Sequence, residues 1–204
     1  MDLVGRVGVG ALPDPARSGN LLCMPVVPVV FAGGTAGSWR VRRVSAVAGM
    51  PVPAVERLAV LEGVRAGPPG ATWTLVGVIG HERYVQAREH KELTAASPSL
   101  GRPEASRAAL IPIRKSEEWW ALSQDERRAI LEERSGHIAT GLKYLPAVAR
   151  RLHHSRDLGE PFDFLTWFEF APADEAGFDE LLAMLRATDE WDFVDREVDI
   201  RLER

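Results

Sequence analysis

The chain has 204 residues, of which 46% are hydrophobic and 26% charged, and its net charge is −4. That is the composition of an ordinary folded globular protein, and it excludes a disordered or fibrous chain. A chain of this size buries roughly 70% of its unfolded surface without disulfide or metal staples, and its mild acidity gives no support to generic nucleic-acid binding.

Residues 1–24 read as a loose tail of Gly, Pro, Ala, Arg and Ser without apolar periodicity. Met24 is expected to be the natural start, because organised sequence begins just after it. The first residues lack the basic start and unbroken apolar core of a secretory signal. The apolar run from Leu21 to Ala32 contains two prolines and falls short of the roughly 20 residues of a spanning helix. The single cysteine, Cys23, forms no internal disulfide and fits a reducing compartment. A cytoplasmic location is the expectation.

The spacing predicts strands at 26–31, 38–48 and 71–79 and a helix at about 82–95. Gly67, Pro68, Pro69 and Gly70 mark a loop, and residues 96–106 form a polar connector. A strand is expected from Arg107 to Ile113, with Pro112 hinting at an edge or a bend. Ser123-Gln-Asp-Glu126 is a capping box opening one helix from about 124 to 142, and Pro146 limits its continuation. Alternation at Val148, Arg150, Leu152 and His154 suits a strand, and Phe162 to Phe170 is a strong aromatic and β-branched one. Ala173 to Ala187 has a helical stripe of Phe178, Leu181, Leu182 and Leu185. A last strand runs from Val194 to Leu202. From residue 107 the order is β-α-β-β-α-β, the ferredoxin-like pattern. The expected class is therefore α+β, with two ferredoxin-like halves, 25–106 abbreviated and 107–204 complete, sharing a barrel-like core.

The residues that can carry chemistry are few. Of the histidines His81, His90, His137, His153 and His154, none makes an H-x-x-x-H pair on a helix, and no second cysteine exists, so a structural zinc site has no support. His153 and His154 are expected on opposite faces of a strand. His137 lies on the inner side of its helix with Ile130, Ile138 and Gly141. It reads as a hydrogen-bonded core histidine or as an axial ligand to iron or haem. Arg150 places a permanent cation on an otherwise apolar strand face, which calls for an anionic partner: a core carboxylate or an anionic substrate. The Trp119-Trp120 pair reads as core packing or as the wall of a flat cofactor, with Lys115 meeting a carboxylate at its rim. Glu190 alone is an ordinary helix-end acid. No dinucleotide-binding glycine pattern, P-loop or G-x-S-x-G elbow is present.

Several separated motifs, in order, resemble the chlorite dismutase family, and more narrowly its short-chain dimeric branch. They are Ile111-Pro-Ile-Arg-Lys115, Glu118-Trp-Trp120, Asp125-Glu-Arg-Arg-Ala-Ile130, His137, Leu142-Lys-Tyr-Leu-Pro146, His154-Ser-Arg-Asp-Leu158, Phe162-Asp-Phe-Leu-Thr-Trp-Phe-Glu169, and Thr188-Asp-Glu-Trp191 through Arg196-Glu-Val-Asp-Ile-Arg-Leu202. The resemblance covers roughly residues 26–204. It implies a dimeric α+β barrel, a homodimer, and a haem b in the C-terminal half with His137 as the iron ligand. It further implies Glu190 as the carboxylate on that histidine, Lys115, Trp119 and Tyr84 around the haem propionates, and Arg150 as the distal arginine. One departure accompanies it: the helix carries a few extra residues before His137, and an ungapped count from Trp119-Trp120 lands on Arg134. The implied activity converts chlorite to chloride and dioxygen through ferryl and hypochlorite intermediates. Haem peroxidase or haem-handling chemistry is the alternative. Coproporphyrin-haem decarboxylation is disfavoured, since Ile111-Pro-Ile113 holds no tyrosine and position 150 holds arginine. A non-enzymatic ferredoxin-like dimer, with His137 and Arg150 as paired core residues, is the bland reading. No nucleic-acid or membrane partner is expected.

Overall fold

The structure, a computed structural model, describes residues 27–79 and 84–204. The expected tail, with Cys23 and Met24, and His81 lie outside the described residues. The strands are β1 (Pro28–Gly34), β2 (Trp39–Ala48), β3 (Arg57–Glu62), β4 (Trp73–Val78), β5 (Arg107–Lys115), β6 (Ala149–His154), β7 (Phe164–Phe170) and β8 (Val194–Glu203). They close into one antiparallel barrel in the order β1-β3-β2-β8-β5-β7-β6-β4. Both halves of the ring share one internal order: fourth strand, first, third, second. The α-helices are α1 (Ala87–Ala96), α2 (Glu117–Ala121), α3 (Gln124–Arg128), α4 (His137–Tyr144) and α5 (Glu175–Arg186).

Alternation along the strands builds two cores. Phe31, Trp39, Leu58, Leu75, Leu110, Leu165, Trp167 and Ile200 come from strands all round the ring and fill its interior. The opposite faces of β5 and β7, with Ala109, Ile111, Phe168 and Phe170, pack outward on the predicted stripe of α5, Phe178, Leu181, Leu182 and Leu185. The 3.6-residue period on α5 and the two-residue period on the strands thus meet in one apolar seam.

Four expectations need correction. β3 was not foreseen, because Arg57 and Glu62 bracket a short run with no clean alternation. The helix expected from about 82 starts only at Ala87, behind a capping box made by Gln86 and Glu89. Pro112 lies in a central strand, not an edge: β5 pairs with β7 on one side and β8 on the other. The β8 ladder skips from Leu110 to Ile113, which removes the demand for the N–H that proline lacks. The single helix expected over 124–142 is three pieces: α3, a π-helical turn at Ala129–Arg134, and α4, which restarts after Gly136 at φ 59.

His153 and His154 do point to opposite faces. His153 is 2% exposed in the barrel interior, edge-on to Phe31 at 5.2 Å. A carbonyl only accepts, so the 3.1 Å contact with Leu165 puts the proton on Nδ1. Burial, then the nearby charges of Arg151 and His154, outweigh that hydrogen bond and lower the His153 pKa to about 4. The unfolded chain, with the ordinary value near 6.5, takes up the proton first. Stability from the neutral ring is therefore complete above pH 6.5 and is lost as pH falls from 6.5 towards 4. The loss should be on the order of 3 kcal/mol. Denaturant unfolding at pH 7.5 and pH 4.5 checks it. His153→Gln, whose amide can still donate to the Leu165 carbonyl, should show a flatter dependence over that window.

Candidate functional site

A cavity of about 310 Å³ lies outside the barrel, between the C-terminal part of the sheet and the helices. Cross-strand register builds its sheet wall. Arg150, Leu152 and His154 of β6 stand opposite Phe168, Thr166 and Phe164 of β7, and Thr166 and Phe164 stand opposite Ile111 and Ile113 of β5. All eight line the cavity. The facing wall is helical, with His137, Ile138 and Gly141 from α4 and Leu181, Leu182 and Leu185 from α5. Every residue nominated from the sequence lines this one space: Arg150, His137, Glu190, Lys115, Trp119 and Tyr84. A second cavity, about 340 Å³ at the barrel interior, has none of them on its wall.

His137 opens α4, and its Nδ1 lies 2.6 Å from a Glu190 carboxylate oxygen. A carboxylate accepts, so Nδ1 carries the proton and donates it to Glu190. Glu190 is 4% exposed and sits in a 3₁₀ turn at Asp189–Phe193. Its other carboxylate oxygen takes the Lys115 ammonium at 2.8 Å, and its main-chain carbonyl takes the same group at 3.1 Å. Burial pushes the Glu190 carboxyl up, but His137 and then Lys115 overcome burial and hold it down at about 2. Glu190 is thus a fixed anion, and the pair it makes with His137 favours an electron-rich imidazole.

Lys115 lines the cavity, yet its ammonium goes to Glu190 and lies between two indoles, 4.6 Å from the Trp119 ring centre and 5.4 Å from that of Trp191. Its geometry therefore secures the histidine's carboxylate rather than a propionate at the rim. Asp163 fixes the end of β5, accepting from the Lys115 main chain at 2.7 Å and from the Trp120 indole at 3.1 Å. Trp119, 1% exposed, follows the Ser116 cap of α2. Its indole Nε1 is buried without a partner among the described residues, and an unsatisfied buried donor costs about 1–3 kcal/mol. Tyr84 meets Trp119 edge-on at 6.2 Å with a left-handed φ of 65. Arg127 reaches its hydroxyl at 3.3 Å, and Arg128 donates to its carbonyl while forking onto Glu89 at 2.6 and 2.7 Å. Sequence reading missed Arg127, Arg128, Asp163 and Ser135, whose hydroxyl accepts from the Glu190 N–H at 3.1 Å. In a linear chain each is one more surface-type polar residue, and only the fold shows that they brace the site.

Among the described residues no cluster of three or more His, Cys, Asp or Glu side chains is placed to hold a metal ion, and no helix is long and apolar enough to cross a membrane. The arrangement offers the Glu190-bound imidazole of His137 on the helical wall and Arg150, beside Arg151 and His154, on the sheet wall, with apolar side chains between them.

Comparison with known proteins gives this geometry a context. The chain is similar to the chlorite dismutase of Ideonella dechloratans, 32% identical over 116 residues; the match spans 56% of this chain and only 39% of that relative's length. Its fold is similar to the crystal structure of a dimeric chlorite dismutase from Nitrobacter winogradskyi, with a TM-score of 0.80, 54% identity, and coverage of 86% of this chain and 99% of that one. A mutant chlorite dismutase from Candidatus Nitrospira defluvii shares the fold at a TM-score of 0.64 and 22% identity, over 87% of this chain and 91% of that one. The chlorite dismutase family model matches residues 66–202, well over half of the chain and all of the cavity's nominated residues, and the chain belongs to the chlorite dismutase family.

Proposed function

We propose that the protein is a haem b-dependent chlorite dismutase that converts chlorite to chloride and dioxygen and works as a homodimer. The observation that carries the reading is the placement of the Glu190-bound His137 and of Arg150 on opposite walls of one apolar cavity. The donor set fits a haem. An imidazole whose Nδ1 proton is held by a carboxylate would hold a haem iron through its other ring nitrogen. The unpartnered Trp119 indole at the cavity edge suits a propionate oxygen, and the surrounding Ile, Leu and Phe side chains suit a flat macrocycle. The shared strand order of the two halves supports reading them as ferredoxin-like repeats, and the similarity to a dimeric relative supports the homodimer.

When bound, haem supplies the redox chemistry. The chain's own residues supply the rest. His137 holds the cofactor, and Glu190 keeps its ring in one tautomer. Arg150 attracts chlorite into the cavity and holds it by charge-assisted hydrogen bonds. The apolar side chains keep water out, so the guanidinium acts on the anion with little screening. The same cation would keep the chlorine-bearing part of the substrate in the cavity until chloride leaves, while the oxygen-transfer chemistry would be supplied by a bound haem.

The test is reconstitution with haem b followed by oxygen measurement on chlorite, beside peroxide turnover on the same sample. A Soret band with oxygen release from chlorite is expected. A Soret band with peroxide turnover and no oxygen would replace the reading with a peroxidase, and no Soret band would leave a non-enzymatic dimer.

A further inference from the structure

We propose that Glu132 is a positioning residue for His137: it fixes the helical turn that carries the histidine and neutralises the positive pole on which that turn sits. The inference rests on the reading of His137 as the haem ligand. His137 is the first residue of α4, and the residue before it, Gly136, has no side chain with which to cap the helix. The first N–H groups of a helix have no partner within it. Here the Glu132 carboxylate reaches across from the π-helical turn, accepting from Ile138 N–H at 2.5 Å and from Ala139 N–H at 3.1 Å. Its main-chain carbonyl accepts from Gly136 N–H at 2.8 Å. One residue therefore grips the backbone on both sides of His137.

The other end of the imidazole is held separately. Glu190 takes Nδ1 at 2.6 Å, and the Glu190 N–H is itself anchored on Ser135 Oγ at 3.1 Å. The ring is thus suspended between two carboxylates, one on its nitrogen and one on its backbone. Removing the second leaves the ring bond in place but frees the turn to tilt, which moves Nε2. The start of a helix also carries about half a positive charge. The Glu132 anion offsets it. Without that offset the pole would draw electron density from the ligand and make a bound iron easier to reduce.

The π-helical turn Ala129–Arg134 comes just before the break and sets Glu132 where it can reach over it. π-Turns recur at functional sites in this way.

Three variants of the full chain separate the roles. Glu132→Ala removes both bonds and charge, Glu132→Gln keeps an acceptor oxygen without charge, and Glu132→Asp keeps charge on a shorter arm. Each is measured by thermal melting, haemin titration, the ferric/ferrous midpoint potential and the iron–histidine vibration. Glu132→Ala is expected to bind haemin about 10–100-fold more weakly, the usual range for groups that orient a ligand. Glu132→Gln should bind closer to wild type but with its midpoint shifted to more positive potential, and Glu132→Asp should hold the midpoint nearer wild type. If Glu132→Ala fails to fold, the midpoint of Glu132→Gln still decides the matter. Variants that lose melting temperature alone, with haemin affinity, midpoint and vibration unchanged, would reduce Glu132 to a helix cap and overturn the proposal. A wild-type chain that takes up no haemin would instead overturn the His137 reading and the proposal with it.

Discussion

Replacing Arg150 with alanine is expected to slow oxygen release from chlorite by about 10²–10³-fold, the effect of deleting one positioned donor from a water-poor site. Haem content should be unchanged, because Arg150 stands on the sheet wall in β6 while His137, the proposed ligand, stands on α4. The loss should not be one of rate alone. A cation that retains the chlorine-bearing fragment also governs whether that fragment escapes, so the variant should release hypochlorite that a chlorination trap detects. An oxygen electrode and such a trap, run together, check both parts. Arg150→Lys should recover part of the rate, since it restores the charge without the planar fork. Full activity with no released hypochlorite in the alanine variant would remove Arg150 from the mechanism.

The second large effect concerns Glu190. Glu190→Ala should cost about 3–5 kcal/mol of stability, because it strands the Lys115 ammonium in a site where both side chains are almost wholly buried. The carbonyl at position 190 and the Trp119 and Trp191 rings would remain to face that charge, with no anion among them. The double variant Glu190→Ala with Lys115→Met should recover most of the loss, since an apolar replacement removes the stranded ion. Neither should restore haem affinity, because His137 would still lack its carboxylate. Denaturant unfolding of the two single variants and the double one measures the coupling. The pH dependence has a definite sign. Glu190 is held at about 2 in the folded chain against an ordinary 4.5, so its contribution is complete above pH 4.5 and is lost as pH falls from 4.5 towards 2. The gap between wild type and Glu190→Ala should narrow as pH falls from 4.5 towards 2.

The C-terminal half was legible in the sequence because its periods are clean. Phe178, Leu181, Leu182 and Leu185 repeat at helical spacing, and Val198, Ile200 and Leu202 at strand spacing, and both sets are buried. The six nominated residues gather on one cavity, but only Arg150 was marked by a strand period; the resemblance to the family supplied Lys115, Trp119, Tyr84 and Glu190 and the role of His137. What stayed hidden was the break before His137. Residues 124–142 satisfy a helical pattern throughout, and a π-turn followed by one left-handed glycine changes no residue type that a periodicity would register. Tyr84 shows the same blindness: its strained φ is held by Arg127 and Arg128 from over 40 residues away, and no local signal announces it. The partnership of Lys115 with Glu190, 75 residues apart, was equally beyond reach, so the lysine was assigned to the cofactor rim.

The place of β8 in the ring has a consequence for how the molecule is made. It lies between β2 and β5, and its pairing with β2 joins Arg40 to Glu203. β8 follows the other seven strands in chain order, so those earlier strands must wait for it. Until residues 194–203 emerge, β2 and β5 each lack a neighbour, the interior core lacks Val198, Ile200 and Leu202, and no ring exists. Such long-range pairing is slow to form, and exposed strand edges in the interval invite association with other chains. Synthesis of this protein thus includes a vulnerable period that lasts at least until β8 has emerged, and holding the nascent chain apart from its neighbours until then is part of closing the ring.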